Sequence, residues 1–343
     1  MILILSQSYL EVSTEQVMDW LENFGVPFMR INGEDIDRDL PIAFKLRGDC
    51  ATVTFQDESL PIQMEDIKVV WHRRWRLQSR HHTLNLLHYS LSASPAKFAG
   101  AGAVTQLDDE LAKVSGLLFR ILDRAKWLGH PRTANPNKLL VLIEAAKVGL
   151  DTAVTLITTD KKQLGLFIEE HKRTITKACS NTPMLISKDD SYIGYTSELS
   201  PQIIDELPSR FFPSLFQECL NKDYELRIFY LDGQCYSMAI FSQNDDQTRT
   251  DFREYNYAKP NRCVPFLLPQ EVSGKIVRLM RELRLETGSI DMVKTTDGRY
   301  VFLEVNPNGQ FGMVSQPCNY FLERKIAEHL KMGLEYEKTE PVF

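Results

Sequence analysis

No stretch of this chain approaches the roughly 18 consecutive apolar residues of a membrane span. The opening MILILSQS has too short an apolar run and no basic segment, so it does not read as a signal peptide. Cysteine is scarce and scattered: six in 343 residues, at Cys50, Cys179, Cys219, Cys235, Cys263 and Cys318. None forms Cys-x-x-Cys and none has zinc-ligand spacing with a histidine. Free, mostly buried thiols in a reducing cytoplasm are the expected state. Basic excess is also missing. The net charge of −6 lacks the footprint of nonspecific nucleic-acid binding. No Gly-x-Gly-x-x-Gly follows the first predicted strand, so the dinucleotide fingerprint is absent. There is no internal repeat and no low-complexity segment. What remains is an ordinary globular composition, long enough for two or three domains.

Chemistry concentrates in Ser289 to Gly312, SIDMVKTTDGRYVFLEVNPNGQFG. Asp297-Gly298 is a two-residue turn signal between apolar-rich strands. With that turn, Thr296 faces Arg299, and counting outward sets Asp291 across from Glu304. Alternation puts Glu304 and Asn306 on one face and Val301, Leu303 and Val305 on the other. Directly opposed carboxylates lie roughly 4.5–5.5 Å apart at Cβ and repel. They need a cation or a raised pKa to coexist. Two carboxylates and an amide oxygen suit Mg²⁺, which fills its remaining positions with phosphates and water. A surface hairpin with two solvated acids is the plainer reading, and the apolar alternation opposes it.

The N-terminal third opens as β-α-β: a strand at Ile2–Leu5, a helix from Thr14 to Phe24 capped by Ser13 or Thr14, and a strand at Phe28–Ile31. Further strands are expected at Ala51–Phe55 and Val69–Trp71. The latter runs into His72-Arg73-Arg74-Trp75-Arg76, which reads either as a solvated basic strand end or as an anion site, since guanidinium grips carboxylate or phosphate in a fork. A long helix from Leu107 to Leu128 ends at Gly129-His130-Pro131. Next come a helix from Lys138 with the stripe Leu139, Leu142, Ile143 and Ala146, a strand at Thr152–Ile157, a helix at Lys161–Glu170 and a strand at Arg173–Lys177. Met184–Ser187 and Tyr192–Thr196 flank a polar tip at Lys188–Ser191. Strands at Leu215–Leu220, Tyr224–Leu231 and Gln234–Ser242 precede a polar loop, Thr250–Asn256. A helix from Glu271 to Leu285, with Val272, Ile276, Leu279, Met280 and Leu283 inward, leads into the hairpin. A last helix spans Tyr320 to Met332, and a polar tail follows.

An Asp on one strand and Glu-x-Asn on the next resemble the metal-binding end of the ATP-grasp ligases. The longer string Leu303–Leu322, LEVNPNGQFGMVSQPCNYFL, resembles one branch of them, the grasp-with-spasm peptide maturases, or graspetide synthetases. The resemblance runs over nearly the whole chain. It implies an α/β (α+β) chain: an N-terminal Rossmann-like pre-ATP-grasp domain (1–130), a central ATP-grasp subdomain (131–214) and a C-terminal subdomain with the metal site (215–343). It implies that Lys138 and Lys177 reach the nucleotide phosphates and that Gln217, Glu218 and Leu220 form the adenine hinge. Glu225 and Arg227 match the strand whose arginine contacts the terminal phosphate. Arg253 is expected to grip the acceptor carboxylate, with Asp251 orienting it or taking a proton. Arg73 or Arg74 is expected to help hold an acidic peptide.

The cofactors implied are ATP and Mg²⁺ (at Asp291, Glu304 and Asn306). The partner is a precursor peptide with a leader and a Thr-, Asp- and Glu-rich core, and the enzyme often works as a homodimer. The reaction expected is macrocyclisation: Asp or Glu side chains become acyl phosphates and are joined to Thr or Ser hydroxyls, or to Lys amines. An ATP-grasp ligase adding a free amino acid to a protein or peptide shares the same core motifs. A non-catalytic nucleotide- or peptide-binding module is opposed by the intact Asp291, Glu304 and Asn306.

Overall fold

β1 (Ile2–Ser6) is buried along its whole length, as befits a central parallel strand covered on both faces. In the computed structural model, residues 1–35, 42–48, 50–55, 64–76, 101–180, 184–186, 191–254 and 256–335 are described. The Lys188–Asp190 part of the expected polar tip, Tyr255 and the polar tail after Glu335 lie outside them. The chain divides into two units, 1–132 with 321–343, and 133–320.

In the first unit, α1 (Val12–Asn23) follows β1 and leads to β2 (Phe28–Asn32). A hairpin of β3 (Ile42–Arg47) and β4 (Cys50–Phe55) precedes β5 (Val69–His72). α2 (Ala101–Ile121) and β6 (Lys126–Leu128) complete the run. The sheet order is β2-β1-β5-β6, all parallel. Leu3, Leu5 and Val70 share a core with Leu118, Leu122 and Trp127. The last helix, Leu322–Gly333, returns to this unit and packs on α1 and β5.

Three expectations change here. The helix drawn to Leu128 stops at Ile121, and Lys126–Leu128 becomes a strand beside β5. A three-residue stretch is too short to show a period, so pairing with β5 decides its state. β3 was not expected; it is held by register with β4. Neither Ser13 nor Thr14 caps α1, which begins at Val12 after Glu11. The Thr14 hydroxyl instead donates to Glu11 Oε2 at 2.9 Å.

The second unit opens with α3 (Lys138–Lys147), capped by the Asn137 side chain on the N–H groups of Leu139 and Leu140. Its buried face is Val141 and Ala145, with Leu142 of the expected stripe half-buried against the same core; Leu139 is half-buried, Ala146 is exposed and Ile143 is 52% exposed. Lys138, Val141 and Ala145 recur at i, i+3 and i+7, and the Lys138 contact described below sets this phase. The strand expected at Thr152–Ile157 is two, β7 (Asp151–Thr152) and β8 (Thr155–Asp160), in different sheets. α4 (Lys161–His171), β9 (Thr174–Lys177), the β10 (Met184–Ile186) and β11 (Ser191–Ile193) hairpin, β12 (Ser197–Glu198), α5 (Pro201–Glu206) and β13 (Arg210–Glu218) follow. β8, β9, β12 and β13 form one sheet, in the order β12-β9-β13-β8.

β14 (Lys222–Leu231), β15 (Gln234–Phe241), β16 (Arg262–Phe266), α6 (Gln270–Glu282), β17 (Thr287–Thr295), β18 (Tyr300–Asn306) and α7 (Gly312–Cys318) complete the unit. The second sheet runs β16-β15-β14-β17-β18-β7. Its inner face packs Leu226, Ile228, Ile290, Met292, Phe302 and Val305 against α3 and against Val272, Ile276, Leu279 and Met280 of α6.

The β17–β18 hairpin pairs Asp291 with Glu304, as counted from the sequence, but by a different route. The loop has three residues, Thr296 to Gly298, closed by Thr295 N–H on Arg299 O and by Gly298 at φ 95°. That loop type places a glycine in the left-handed region. A bulge at Leu303 then shifts the ladder by one and restores the Asp291–Glu304 pair. The bulge also exchanges faces: Phe302 joins the core with Val305, and Leu303 leaves it.

Gly33 is buried where its loop meets Arg76; a Cβ there would lie 1.7 Å from the Arg76 carbonyl oxygen. Gly33→Ala is expected to cost about 1–3 kcal/mol by overpacking. Gly116, exposed within α2 with nothing within 4 Å of a built Cβ, is the control. Gly116→Ala is expected to gain about 0.5–1 kcal/mol. Thermal unfolding of both variants checks the pair.

Candidate active site

Arg227, Asp291 and Glu304 form one row across β14, β17 and β18, because the register sets Arg227 beside Asp291 and Asp291 beside Glu304. Arg227 Nη1 lies 2.5 Å from both carboxylate oxygens of Asp291. Lys138 Nζ, from the first turn of α3, donates to Glu304 Oε2 at 2.8 Å. Two opposed carboxylates are thus bracketed by two cations. The four side chains are only 11–24% exposed, so these ion pairs are weakly screened by solvent. Burial pushes the Asp291 carboxyl up, and Glu304 adds to that against Arg227. Burial also works to raise Glu304, but Lys138, Lys177 and Arg253 outweigh it and hold that carboxyl below its ordinary value.

Asp291 and Glu304 line a cavity of about 420 Å³ in the second unit, a volume typical of small-molecule sites. Lys177 reaches it from β9; Gln217 and Glu218 from the end of β13; Leu220 from the segment after; Glu225 from β14; Asp251 and Arg253 from the loop after β15. Nine expected residues therefore share one cavity wall. Burial draws the Lys177 ammonium below its ordinary value, with Glu304 pulling the other way.

The Gln217–Leu220 segment is fixed by hydrogen bonds to neighbouring strands and the residues just before them. The Gln217 side-chain amide donates to Thr155 Oγ1 at 2.8 Å. Glu218 Oε1 accepts from Val154 N–H at 3.0 Å, and Cys219 N–H donates to Arg173 O at 2.9 Å. The Leu220 N–H and C=O have no protein partner among the described residues.

Arg253 and Asp251 form a two-pronged ion pair: Nε to Oδ1 at 2.8 Å and Nη2 to Oδ2 at 2.5 Å. The Arg253 backbone N–H donates to Asp251 Oδ1 at 3.1 Å, and Thr196 N–H to Oδ2 at 3.2 Å. Burial works to raise the Asp251 carboxyl, but Arg253 outweighs it and holds it below its ordinary value. A carboxylate so held is a poor proton acceptor and a good brace.

Lys222 was not anticipated. Its Nζ donates to Glu225 Oε1 at 2.8 Å and to Thr250 O at 2.9 Å, and Ser242 Oγ donates to the same Glu225 oxygen at 2.9 Å. Lys222 and Glu225 are three apart in a strand and would normally face opposite ways. A register shift between Lys222 and Tyr224 turns them to one side. No local signal announces such a bulge. Burial pushes the Glu225 carboxyl up, against Lys222.

Some expected residues lie elsewhere. Asn306 is exposed at the end of β18, where its Oδ1 accepts from Asn308 N–H at 3.1 Å. Arg73 and Arg74 belong to the first unit. Both meet buried Glu11, with Arg73 Nε 3.4 Å from Oε2 and Arg74 Nη1 3.1 Å from Oε1. Arg73 is 4% exposed, and burial draws its guanidinium pKa down to about 10. Trp71 and Trp75 beside them are buried.

The donor set fits a metal–nucleotide pair better than a metal alone. Among the described residues no three His, Cys, Asp or Glu side chains converge on a point. Two carboxylates, with Asn306 two residues beyond, offer part of an oxygen shell of the kind Mg²⁺ shares with phosphates. Lys138, Lys177 and Arg227 offer cations for the phosphates.

No family model matches the chain, and no curated protein matches it. Solved structures do. A RiPP-associated ATP-grasp ligase of Chryseobacterium gregarium, in complex with ADP and a leader and core peptide, superposes with a TM-score of 0.80 at 22% identity, covering 100% of this chain and 99% of that one. The macrocyclase MdnC of Microcystis aeruginosa, bound with precursor peptide MdnA, gives 0.78 at 23%, covering 96% and 99%. The ATP-grasp ligase PsnB, complexed with minimal precursor, Mg and ADP, gives 0.73 at 17%, covering 97% of each chain. The chain has the ATP-grasp fold of these ligases.

Two measurements test the bracing of the cavity. The native pKa of Asp251 is depressed, so its stabilisation is present above the ordinary carboxylate value and is lost as pH falls through the native one. The stabilities of wild type and Asp251→Asn are expected to differ most near neutral pH and to converge only once pH has fallen below the ordinary carboxylate range. Lys222→Met is expected to speed amide hydrogen exchange in 243–254 while exchange in β14 and β17 stays slow. Unchanged exchange there would show that Lys222 does not hold the loop.

Proposed function

We propose that this protein is an ATP-grasp ligase that cyclises a ribosomally made precursor peptide, joining Asp or Glu side chains to Thr or Ser hydroxyls or to Lys amines. The carrying observation is the single cavity wall formed by Lys177, the Gln217–Leu220 hinge, Asp251, Arg253, Asp291 and Glu304. The peptides named with the similar solved structures support the substrate class: leader and core peptide in one, precursor peptide in the others.

In this reading the hinge receives adenine, with the open Leu220 backbone groups facing the base. Lys138, Lys177 and Arg227 take the phosphates. Asp291, Glu304 and Asn306 hold Mg²⁺, which when bound offsets phosphate charge. Arg253, its plane set by Asp251, grips the acceptor carboxylate. A carboxylate oxygen of the peptide attacks the γ-phosphorus, the bond to ADP breaks, and an acyl phosphate forms. The peptide hydroxyl or amine then attacks the acyl carbon and phosphate leaves. Arg73 and Arg74 have a smaller part, since Glu11 engages both. Residues 1–130, 131–214 and 215–343 are read as the pre-ATP-grasp, central and C-terminal parts, the third including the last helix that packs in the first unit.

The test is incubation with a short Thr-, Asp- and Glu-rich candidate precursor peptide, sought among the reading frames neighbouring this one, with ATP and Mg²⁺. ADP and phosphate are expected, and each link lowers the peptide mass by one water. AMP as product would refute phosphoryl transfer, and a peptide heavier by one amino acid would replace cyclisation with ligation. Glu304→Ala is expected to abolish turnover. Arg253→Lys is expected to stay impaired with ATP affinity little changed, because an ammonium cannot make the fork.

A further inference from the structure

We infer that Lys138 and Arg227 stand in for the divalent ion before nucleotide arrives, so that metal enters this site only together with a polyphosphate. The inference rests on the nucleotide-site reading above. It begins from a charge count. Asp291 and Glu304 bring two negative charges to the row. Arg227 and Lys138, in direct contact at 2.5 and 2.8 Å, bring two positive ones. Lys177 adds a third cation that interacts with both carboxylates. Arg253 and Asp251 cancel each other in their own ion pair. The row by itself is therefore neutral to slightly cationic, although the sequence presents it as an acid pair.

A bare divalent ion gains little there. To reach Asp291 it must displace an arginine engaged with both carboxylate oxygens. To use both oxygens of Glu304 it must displace Lys138. The displaced cations, tethered to β14 and α3, would then sit beside the ion and repel it. A polyphosphate reverses the balance: its oxygens draw Lys138, Lys177 and Arg227, and the carboxylates they leave are freed for the metal. The two carboxylates alone also fall short of a protein-only octahedral shell. The site is thus built for polyphosphate first and metal with it. Lys138 is a positioning residue for metal as well as a phosphate contact.

The test is equilibrium dialysis of Mn²⁺, with and without ADP at equal concentration on both sides so that the Mn–ADP complex in solution cancels. Wild-type protein is expected to retain ADP in EDTA, to retain Mn²⁺ with ADP, and to retain little Mn²⁺ alone. Lys138→Met is expected to bind Mn²⁺ alone at least tenfold more tightly than wild type, with its thermal midpoint raised by Mn²⁺. Adding Glu304→Gln to that variant is expected to remove the gain. Equal uptake of Mn²⁺ by wild type with and without ADP would overturn the inference and leave the nucleotide site standing. So would a folded Lys138→Met protein with no gain. If wild type retains no ADP under either condition, the nucleotide-site reading fails and the inference falls with it. The wild-type comparison decides the question even if Lys138→Met does not fold.

Discussion

Two carboxylates facing each other across a β-ladder are the constraint on which the second unit depends. Asp291 and Glu304 are directly opposed and mostly out of solvent, where like charges repel and desolvation is costly. The chain answers with one cation from each side. Arg227 arrives on the neighbouring strand, and Lys138 arrives from a helix 166 residues earlier. That demand selects the face α3 presents, keeps β14 next to β17, and sets the alternation of charge along the row.

The remaining cavity extends the same logic. Two sheets of one unit contribute: β9 and β13 from the four-stranded sheet, and β14, β17 and β18 from the six-stranded one. Several charged groups on the wall have a counter-charge in direct contact. Arg253 is locked by Asp251, Glu225 by Lys222, and Arg173 by Glu198 through paired contacts of 2.8 and 2.7 Å. Such pairing fixes the side chains of the wall relative to one another. The long loop after β15 gains its place from Lys222 and Thr196 rather than from strand pairing.

The first unit shows how a charged run can read as a ligand site and fold as a support. Arg73 and Arg74 sit at the carboxyl end of a parallel strand, where ligands often bind. Glu11, immediately before α1, is buried between them. An acid sixty-odd residues upstream, isolated in a polar loop, gives no sign of this pairing.

Much of the architecture was legible in the sequence because it rests on local period and turn chemistry. The β-α-β opening, the α6 stripe and the hairpin around Asp297-Gly298 all follow from side-chain alternation or helical spacing. Glu304 and Asp291 emerged as a facing pair by counting, though a longer loop and a bulge at Leu303 cancelled each other to keep the count true. The Lys177, Asp251 and Arg253 assignments came from resemblance, and the cavity gathers them. Tertiary structure alone decided the rest. It made Lys126–Leu128 a strand, divided Thr152–Ile157 between two sheets, turned Lys222 toward Glu225, and brought Lys138 to Glu304. Each depends on a partner distant in sequence or on an inserted residue that inverts side-chain parity. Periodicity reports which face of an element is apolar; it holds no information about which distant charge will meet that element once the chain has closed.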